Sequence, residues 1–325
     1  DYVGRGVATT STYEARALGV FSAMGLMKSA HLAPDAILLP PNFSAYRQYS
    51  RLFKAAVAEI APHIEDRGID EIYIDLTDMQ QNMRDVALQI KQAVYDATGL
   101  TCSIGISPNK LLSKICSEFD KPNGLTILAA EDIPTRIWPL AIRKVNGIGP
   151  KAAQKLNALG IETIAQLAQA DLQILQDHFG RTYAKWLNDV AHGIDARQVV
   201  THSEPRSISR ETTFERDLHA QRDRAALSEI FTNLCVRVAD DLQRKGYVCR
   251  TIGIKLRFED FRTVTRDFTL PEPTAEAAVI RRAAGECLKR VPLEKRIRLL
   301  GVKTSALSLK GDVSQKMAIQ QEFSF

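Results

Sequence analysis

Gly68-Ile69-Asp70-Glu71-Ile72-Tyr73-Ile74-Asp75-Leu76 places two adjacent acids at the mouth of an otherwise apolar strand. One carboxylate is costly to bury in a sheet, and two side by side cost more. The cost falls when the acids are solvated, protonated or neutralised by a cation. These nine residues therefore leave two readings open. One is a hairpin end whose acids face water, as Asp and Glu ordinarily do. The other is a pair of oxygen ligands for a divalent metal. Asp75 lies four residues beyond Glu71 on the same strand. At ~3.3 Å per residue it is too far along to complete the cluster without a bend.

Working outward, residues 12–30 and 44–60 carry helical periodicity, with Pro34, Pro40 and Pro41 breaking the stretch between them. After the acidic strand come a helix near 82–97, a strand over 101–106, a helix over 109–118, the turn Lys121-Pro122-Asn123-Gly124, and a strand over 125–128. Such alternation makes this part α/β or α+β. Residues 131–195 change character to short helices separated by Gly147, Gly149, Gly160 and Gly180. The polar stretch 201–206 reads as a linker. Beyond it the pattern is strand 207–216, helix 221–245, strand 249–258, strand 262–270, helix 275–290 and strand 297–306, a β-α-β-β-α-β order. Ile252, Ile254, Leu256 and Phe258 alternate with Thr251, Gly253, Lys255 and Arg257, so one sheet face is apolar and the other polar and basic. Residues 310–325 lack periodicity and are expected to be a flexible tail.

At 325 residues the chain has room for two to four domains of roughly 100 to 200 residues each. A single small binding module is excluded. Cys102, Cys116, Cys235, Cys249 and Cys287 form no C-x-x-C pair and no zinc-spaced ladder, so they read as reduced core residues of a cytoplasmic protein. No apolar run approaches the ~18 residues of a membrane span, and no membrane partner is expected. The net charge of +5 is unevenly distributed. Residues 1–130 sum to −2, residues 131–203 to +1 and residues 204–325 to +6. A basic final third points to a polyanionic partner, nucleic acid first.

Two further motifs carry chemistry. Val145-Asn146-Gly147-Ile148-Gly149-Pro150-Lys151, followed by a helix containing Lys155, is a hairpin between short helices. Its backbone N–H groups would meet a phosphate at the next helix start, with Lys151 as counter-charge. The alternative is an ordinary glycine-terminated helix turn. Near the N-terminus, Thr10 and Thr12 precede a helix start that sets Tyr13 and Arg16 one turn apart on one face. With Lys121 they form an inventory suited to a triphosphate. Standing alone they would read as a helix cap with a surface arginine.

The motifs also occur in a particular order. Tyr13-Glu14-Ala15-Arg16 comes first, then Gly68 to Thr77, then Gly105-Ile106-Ser107-Pro108-Asn109-Lys110-Leu111-Leu112-Ser113-Lys114, then Lys121-Pro122-Asn123-Gly124, then Asn146 to Lys151 and the basic β-α-β-β-α-β segment. This succession resembles the Y family of DNA polymerases, the translesion branch, over essentially the whole chain. The resemblance implies an α+β multidomain right hand: fingers 1–41, palm 42–129, helical thumb 130–200, linker 201–206, little finger 207–309 and tail 310–325. It implies low-fidelity, template-directed DNA synthesis from dNTP on a primer-template, by a monomer. Asp70 and Glu71 would be catalytic ligands of two Mg²⁺ ions, and Thr10, Tyr13, Arg16 and Lys121 would hold the nucleotide. Gly147, Gly149, Lys151, Lys155, Arg206, Arg210, Arg298 and Lys303 would contact DNA. Gln320, Phe323 and Phe325 resemble a sliding-clamp docking peptide. Two departures are visible. Gly68 stands where many relatives have Ser. The family's opening strand, about 35 residues with the first metal-binding Asp, has no counterpart, so a catalytically inactive DNA- and clamp-binding scaffold is the alternative for this chain. A metal-dependent nuclease finds no further acids in support.

Overall fold

The computed structural model of the chain describes residues 4–311. The chain divides into two compact units, residues 1–40 with 204–325, and residues 41–203. The first unit opens with α1 (Tyr13–Ala17) and α2 (Leu26–Leu32), where periodicity had suggested one helix over 12–30. The interruption is a backbone competition. Ala8 N donates to Met24 O at 2.8 Å and Ala23 N donates to Ala8 O at 2.8 Å, folding the intervening loop back onto residues 7–8.

The second unit begins with α3 (Phe43–Ile60), capped by the Asn42 side chain accepting from Ala45 N at 3.0 Å. It leads into an antiparallel hairpin of β1 (Ile64–Asp66) and β2 (Ile72–Ile74), in register Ile64↔Ile74, Glu65↔Tyr73 and Asp66↔Ile72. The regular part of the apolar strand is thus three residues long, and β1 has no counterpart in the sequence reading. α4 (Met83–Thr98) packs Val86, Ile90 and Val94 against Val57 of α3. β3 (Ile104–Ile106) pairs in parallel with β4 (Leu125–Ile127), and α5 (Lys110–Cys116) forms the crossover between them. Gly105 permits this crossover to lie flat. A Cβ there would stand 2.3 Å from Ser113 O and 2.5 Å from Ser117 N, so strand and helix backbones are nearly in contact.

Four helices follow: α6 (Pro150–Asn157), α7 (Ile164–Ala168), α8 (Leu172–Phe179) and α9 (Arg181–Ala191). Leu156, Ile164, Leu167, Leu175 and Leu187 are fully buried among them. The same core continues into α5 through Leu111, Leu112, Ile115 and Cys116. After α9 the chain returns as a strap along α5. Asn109 Nδ2 donates to Gly193 O at 2.7 Å, Leu111 N to Asp195 Oδ2 at 3.0 Å, and Lys110 Nζ to Gln198 O at 2.7 Å. Lys110 Nζ also donates to Glu65 Oε2 at 2.6 Å, and Val200 N donates to the same oxygen at 2.9 Å. Both partners of this ion pair are buried.

The first unit resumes with β5 (Ser207–Leu218), α10 (Arg224–Arg244), β6 (Tyr247–Phe258), β7 (Thr263–Thr274), α11 (Ala277–Lys289) and β8 (Ile297–Leu309). The sheet order is β5-β8-β6-β7, with antiparallel neighbours throughout. Ile252, Ile254, Leu256 and Phe258 are buried beneath α10 and α11, as their alternation requires. The five cysteines are free, and burial pushes the thiols of Cys116, Cys235 and Cys249 up to about 11. No helix among the described residues is long and apolar enough to cross a membrane.

Burial raises the Glu65 pKa, but the hydrogen bonds from Lys110 and Val200 and the charges of Lys110 and Arg67 outweigh it, leaving the carboxyl below its ordinary value of 4.5. A carboxyl depressed on folding stabilises the fold above the unfolded pKa and loses that effect as pH falls through the folded one. Lys110→Met should cost about 3 kcal/mol in urea unfolding at pH 7, because it strands a buried carboxylate. The gap between wild type and this variant should begin to narrow above pH 4.5 as pH falls, because burial raises the stranded carboxyl and it takes up a proton there, and should finish narrowing once pH is below the depressed wild-type value. A gap independent of pH would remove Glu65 from the explanation.

Candidate active site and nucleic-acid surfaces

The β1–β2 turn is pinned from within and from α3. Gly68 N donates to Asp66 Oδ1 at 2.9 Å, and Lys54 Nζ reaches Gly68 O at 2.5 Å and Asp66 Oδ2 at 2.8 Å. Asp70 lies in this turn and Glu71 immediately precedes β2, and both are exposed. Of the two readings the sequence left open, their surroundings are those of a hairpin end facing water. Asp70 has no hydrogen-bond or ion-pair partner among the described residues. Glu71 is met by Lys114 Nζ, one turn along α5 from Lys110. Lys114 also lies 3.7 Å from Glu118 Oε1, which accepts from Lys121 Nζ at 2.5 Å. Two acids and two lysines therefore alternate as Glu71, Lys114, Glu118 and Lys121.

The two inner members of this ladder, Lys114 and Glu118, are shifted by their neighbours. Burial pulls the Lys114 pKa down, but the hydrogen bond and charge of Glu71, with Glu118 and Tyr73 adding to them, leave it above the ordinary lysine value. Burial likewise raises Glu118, and the Lys121 hydrogen bond with the charges of Lys121, Lys114 and Lys144 brings it below the carboxylate norm. Lys121 is positioned by its own turn. Asn123 takes φ +60°, a conformation Asn tolerates better than other side-chain-bearing residues, and Lys91 Nζ donates to Asn123 O at 2.9 Å and Oδ1 at 2.6 Å. Lys114 and Glu118 were not singled out from the sequence. Their signal was present in the spacing Lys110, Lys114, Glu118, at four-residue steps. Asp75 is occupied by Thr77 N and Oγ1 at 3.0 and 2.6 Å. Among the described residues no group of three or more His, Cys, Asp or Glu could hold a metal ion.

In the other unit Thr10, Tyr13 and Arg16 do come together on the exposed start of α1. Arg16 Nη2 lies 3.5 Å from Thr10 Oγ1, Arg16 Nε donates to Ser11 O at 3.1 Å, and the guanidinium sits 5.4 Å from the Tyr13 ring centroid.

The helical hairpin is built as its glycines suggested. Gly147 has φ +110° and the Trp186 ring lies against it, so that a Cβ would meet Cη2 at 2.7 Å. Tyr183, stacked on Trp186 at 5.0 Å, donates its hydroxyl to Gly147 O at 2.9 Å. Gly149 begins α6 without a side-chain cap, leaving its first backbone donors outward, and Lys151 is exposed with no partner among the described residues. Lys155 differs from the expectation. Its ammonium donates to His178 O and sits 4.8 Å from the Phe179 ring, so it holds α6 on α8.

On the four-stranded sheet, register parity separates the proposed DNA contacts. Arg210 pairs with Val302 and shares the helix-covered face, where it makes a bidentate ion pair with buried Asp241 at 2.5 and 2.9 Å. Its guanidinium, a little over a third exposed at 37%, is thereby ion-paired within the protein, unlike the ammonium of Lys303. Lys303 pairs with Ser209 and Gly253 and stands exposed on the open face. There Gly253, Lys255, Gly301 and Lys303 line a trough of about 300 Å³, in which Glu211 answers Lys255 at 2.8 Å. Arg206 is exposed, and the half-buried Arg298 lies 4.6 Å from the Phe261 ring. Gln320, Phe323 and Phe325 lie outside the described residues.

Comparison with known proteins decides the family. Residues 2–118 match the impB/mucB/samB family, residues 130–161 the IMS family HHH motif, and residues 205–318 the impB/mucB/samB family C-terminal domain. The chain is 36% identical over 323 residues to the DNA polymerase IV of Methanoculleus marisnigri, covering 99% of this chain and 88% of that one. It is 35% identical over 324 residues to the DNA polymerase IV of Alkalilimnicola ehrlichii, covering 98% and 90%. The chain belongs to the Y family of DNA polymerases. A solved Y-family DNA polymerase chimera of Dbh and Dpo4 superposes with a TM-score of 0.81 at 25% identity, covering 94% of this chain and 89% of that chain. This Y-family member is thus an α+β protein and a DNA-directed DNA polymerase by kinship, and the ladder Glu71–Lys114–Glu118–Lys121 is a feature of its own side chains.

Asn123→Ala should destabilise the turn by about 1–2 kcal/mol, because alanine pays the left-handed penalty and leaves Lys91 without its side-chain acceptor. Asn123→Gly should cost less. Urea midpoints compare the two, and equal costs would mean that the left-handed backbone angle is not what holds the turn.

Proposed function

We propose that the chain extends a DNA primer on a template by nucleotidyl transfer from dNTP, with the low fidelity and damage tolerance of translesion synthesis. The observation that carries the reading is an exposed acid pair, Asp70 and Glu71, beside two lysines on the element that leads to Lys121. Kinship with proteins called DNA polymerase IV supports it. The short helices α1 and α2, of five and seven residues, support a fingers domain that encloses the nascent pair loosely.

Hard oxygen donors in an exposed turn suit Mg²⁺, which keeps several waters and takes one or two carboxylates plus substrate phosphates. Asp70, free of other partners among the described residues, and Glu71 would hold magnesium, in the two-ion form of the reaction. Bound there, it supplies Lewis-acid activation of the primer 3′-hydroxyl and neutralises charge on the departing pyrophosphate. Tyr13 and Arg16 would donate to nucleotide phosphates, with Thr10 orienting the guanidinium, and Lys121 would add a mobile point charge. Residues 1–41 are proposed as fingers, 42–129 as palm, 130–200 as thumb, 201–206 as linker and 207–309 as little finger. Gly147, Gly149 and Lys151 would grip DNA backbone through amides and one ammonium, and Arg206, Arg298 and Lys303 would add contacts from the little finger. The tail, with Gln320, Phe323 and Phe325, would dock on the sliding clamp, and the polymerase would act as a monomer in the cytoplasm.

The two-carboxylate donor set favours a second reading, a scaffold that binds DNA and clamp without catalysis. Primer extension by the full chain with Mg²⁺ and dNTP distinguishes them. Extension that Asp70→Ala reduces to background supports the polymerase. Extension indifferent to that change sinks the site assignment, and DNA binding without any extension supports the scaffold. In salt titrations of primer-template binding, Lys303→Ala should lower the slope by about one. Arg210→Met should lower stability and leave that slope unchanged. A reduced slope in Arg210→Met would return that residue to the DNA surface.

A further inference from the structure

The alternation Glu71–Lys114–Glu118–Lys121 is electroneutral and self-satisfied. Lys114 is a donor to Glu71 and lies 3.7 Å from Glu118, while Glu118 accepts from Lys121 at 2.5 Å. Both lysines are thus committed to carboxylates within the protein. A metal ion arriving at Glu71 repels the Lys114 ammonium from the oxygen it occupies. A triphosphate arriving at Lys121 competes with the Glu118 carboxylate for the same ammonium. Either event breaks the ladder, and Glu118 is its only member that would gain nothing from metal or nucleotide, being an anion shared by two cations.

We propose that Glu118 is an internal competitor of the incoming nucleotide, holding Lys114 and Lys121 in a ladder with Glu71 that opens when metal and triphosphate bind. The proposal rests on the polymerase reading and adds to it a positioning residue that lowers nucleotide affinity. Once the ladder is open, Lys114 becomes a second ammonium for phosphate, one turn of α5 from the buried anchor Lys110. Its reach is fixed because Lys110 is itself held by Glu65 and Gln198.

Calorimetric titration of the full chain with dTTP in the presence of Mg²⁺ tests this without turnover. Glu118→Gln removes the competing charge and keeps the shape, and affinity should tighten about threefold to tenfold, the range expected for releasing partly exposed ion pairs. Lys121→Met should weaken affinity. In a parallel titration with Mn²⁺ alone, followed by its electron paramagnetic resonance signal, Lys114→Met should tighten metal binding by a similar factor because Glu71 is uncovered. If Lys121→Met weakens nucleotide binding while Glu118→Gln leaves it unchanged or weaker, the ladder proposal falls and the polymerase reading stands. If Lys121→Met has no effect, or the wild type binds no dTTP, the nucleotide reading falls and the ladder proposal with it. Unaltered Mn²⁺ affinity in Lys114→Met overturns the proposal even if Glu118→Gln fails to fold.

Discussion

The buried contact between Lys110 and Glu65 is the constraint on which the unit of residues 41–203 depends. It joins three segments distant in sequence: the hairpin through Glu65, the crossover helix through Lys110, and the strap after α9 through Gln198 O and Val200 N. A buried ion pair owes its stability to complete hydrogen bonding more than to charge attraction, and here the carboxylate accepts from Lys110, Val200 and Arg67. Because Lys110 begins α5, the same contact fixes where the next turn of that helix presents Lys114. The acid pair on the hairpin and the lysines opposite it are thus held in one frame, and Gly105 lets that frame close without a gap.

Much of this was legible in the residues because it follows from period and turn chemistry. The β-α-β-β-α-β segment declared itself through strict alternation in β6, and the helical unit through its glycine spacing. The hairpin arm β1 was not legible. Its sequence Ile64-Glu65-Asp66 looks like solvated loop, and only the partner Lys110, 45 residues away, explains why Glu65 goes inside. Residues 12–30 failed for a related reason. Local periodicity favoured one helix, whereas hydrogen bonds from Ala8 to the far end of the loop took the chain elsewhere.

The site shows the same division. Asp70, Glu71 and Lys121 were found as motif residues, yet the ion-pair partners of Glu71 and Lys121 are Lys114 and Glu118, which carry no motif of their own beyond helical spacing. Among the basic residues, sign alone was a poor guide. Arg210 and Lys155 are cations that the fold consumes, Arg210 on Asp241 and Lys155 on the α8 terminus, whereas Lys151 and Lys303 stand exposed without partners among the described residues. Strand parity separates Arg210 from Lys303, and this is information that only the register supplies.

Amide hydrogen exchange in Lys110→Met tests the central constraint most directly. If one contact holds hairpin, crossover helix and strap together, the amides of Tyr73, Leu111 and Val200 should lose protection by the same factor while those of the four-stranded sheet keep theirs. Loss of protection confined to the first turn of α5, with Tyr73 and Val200 unchanged, would contradict the account.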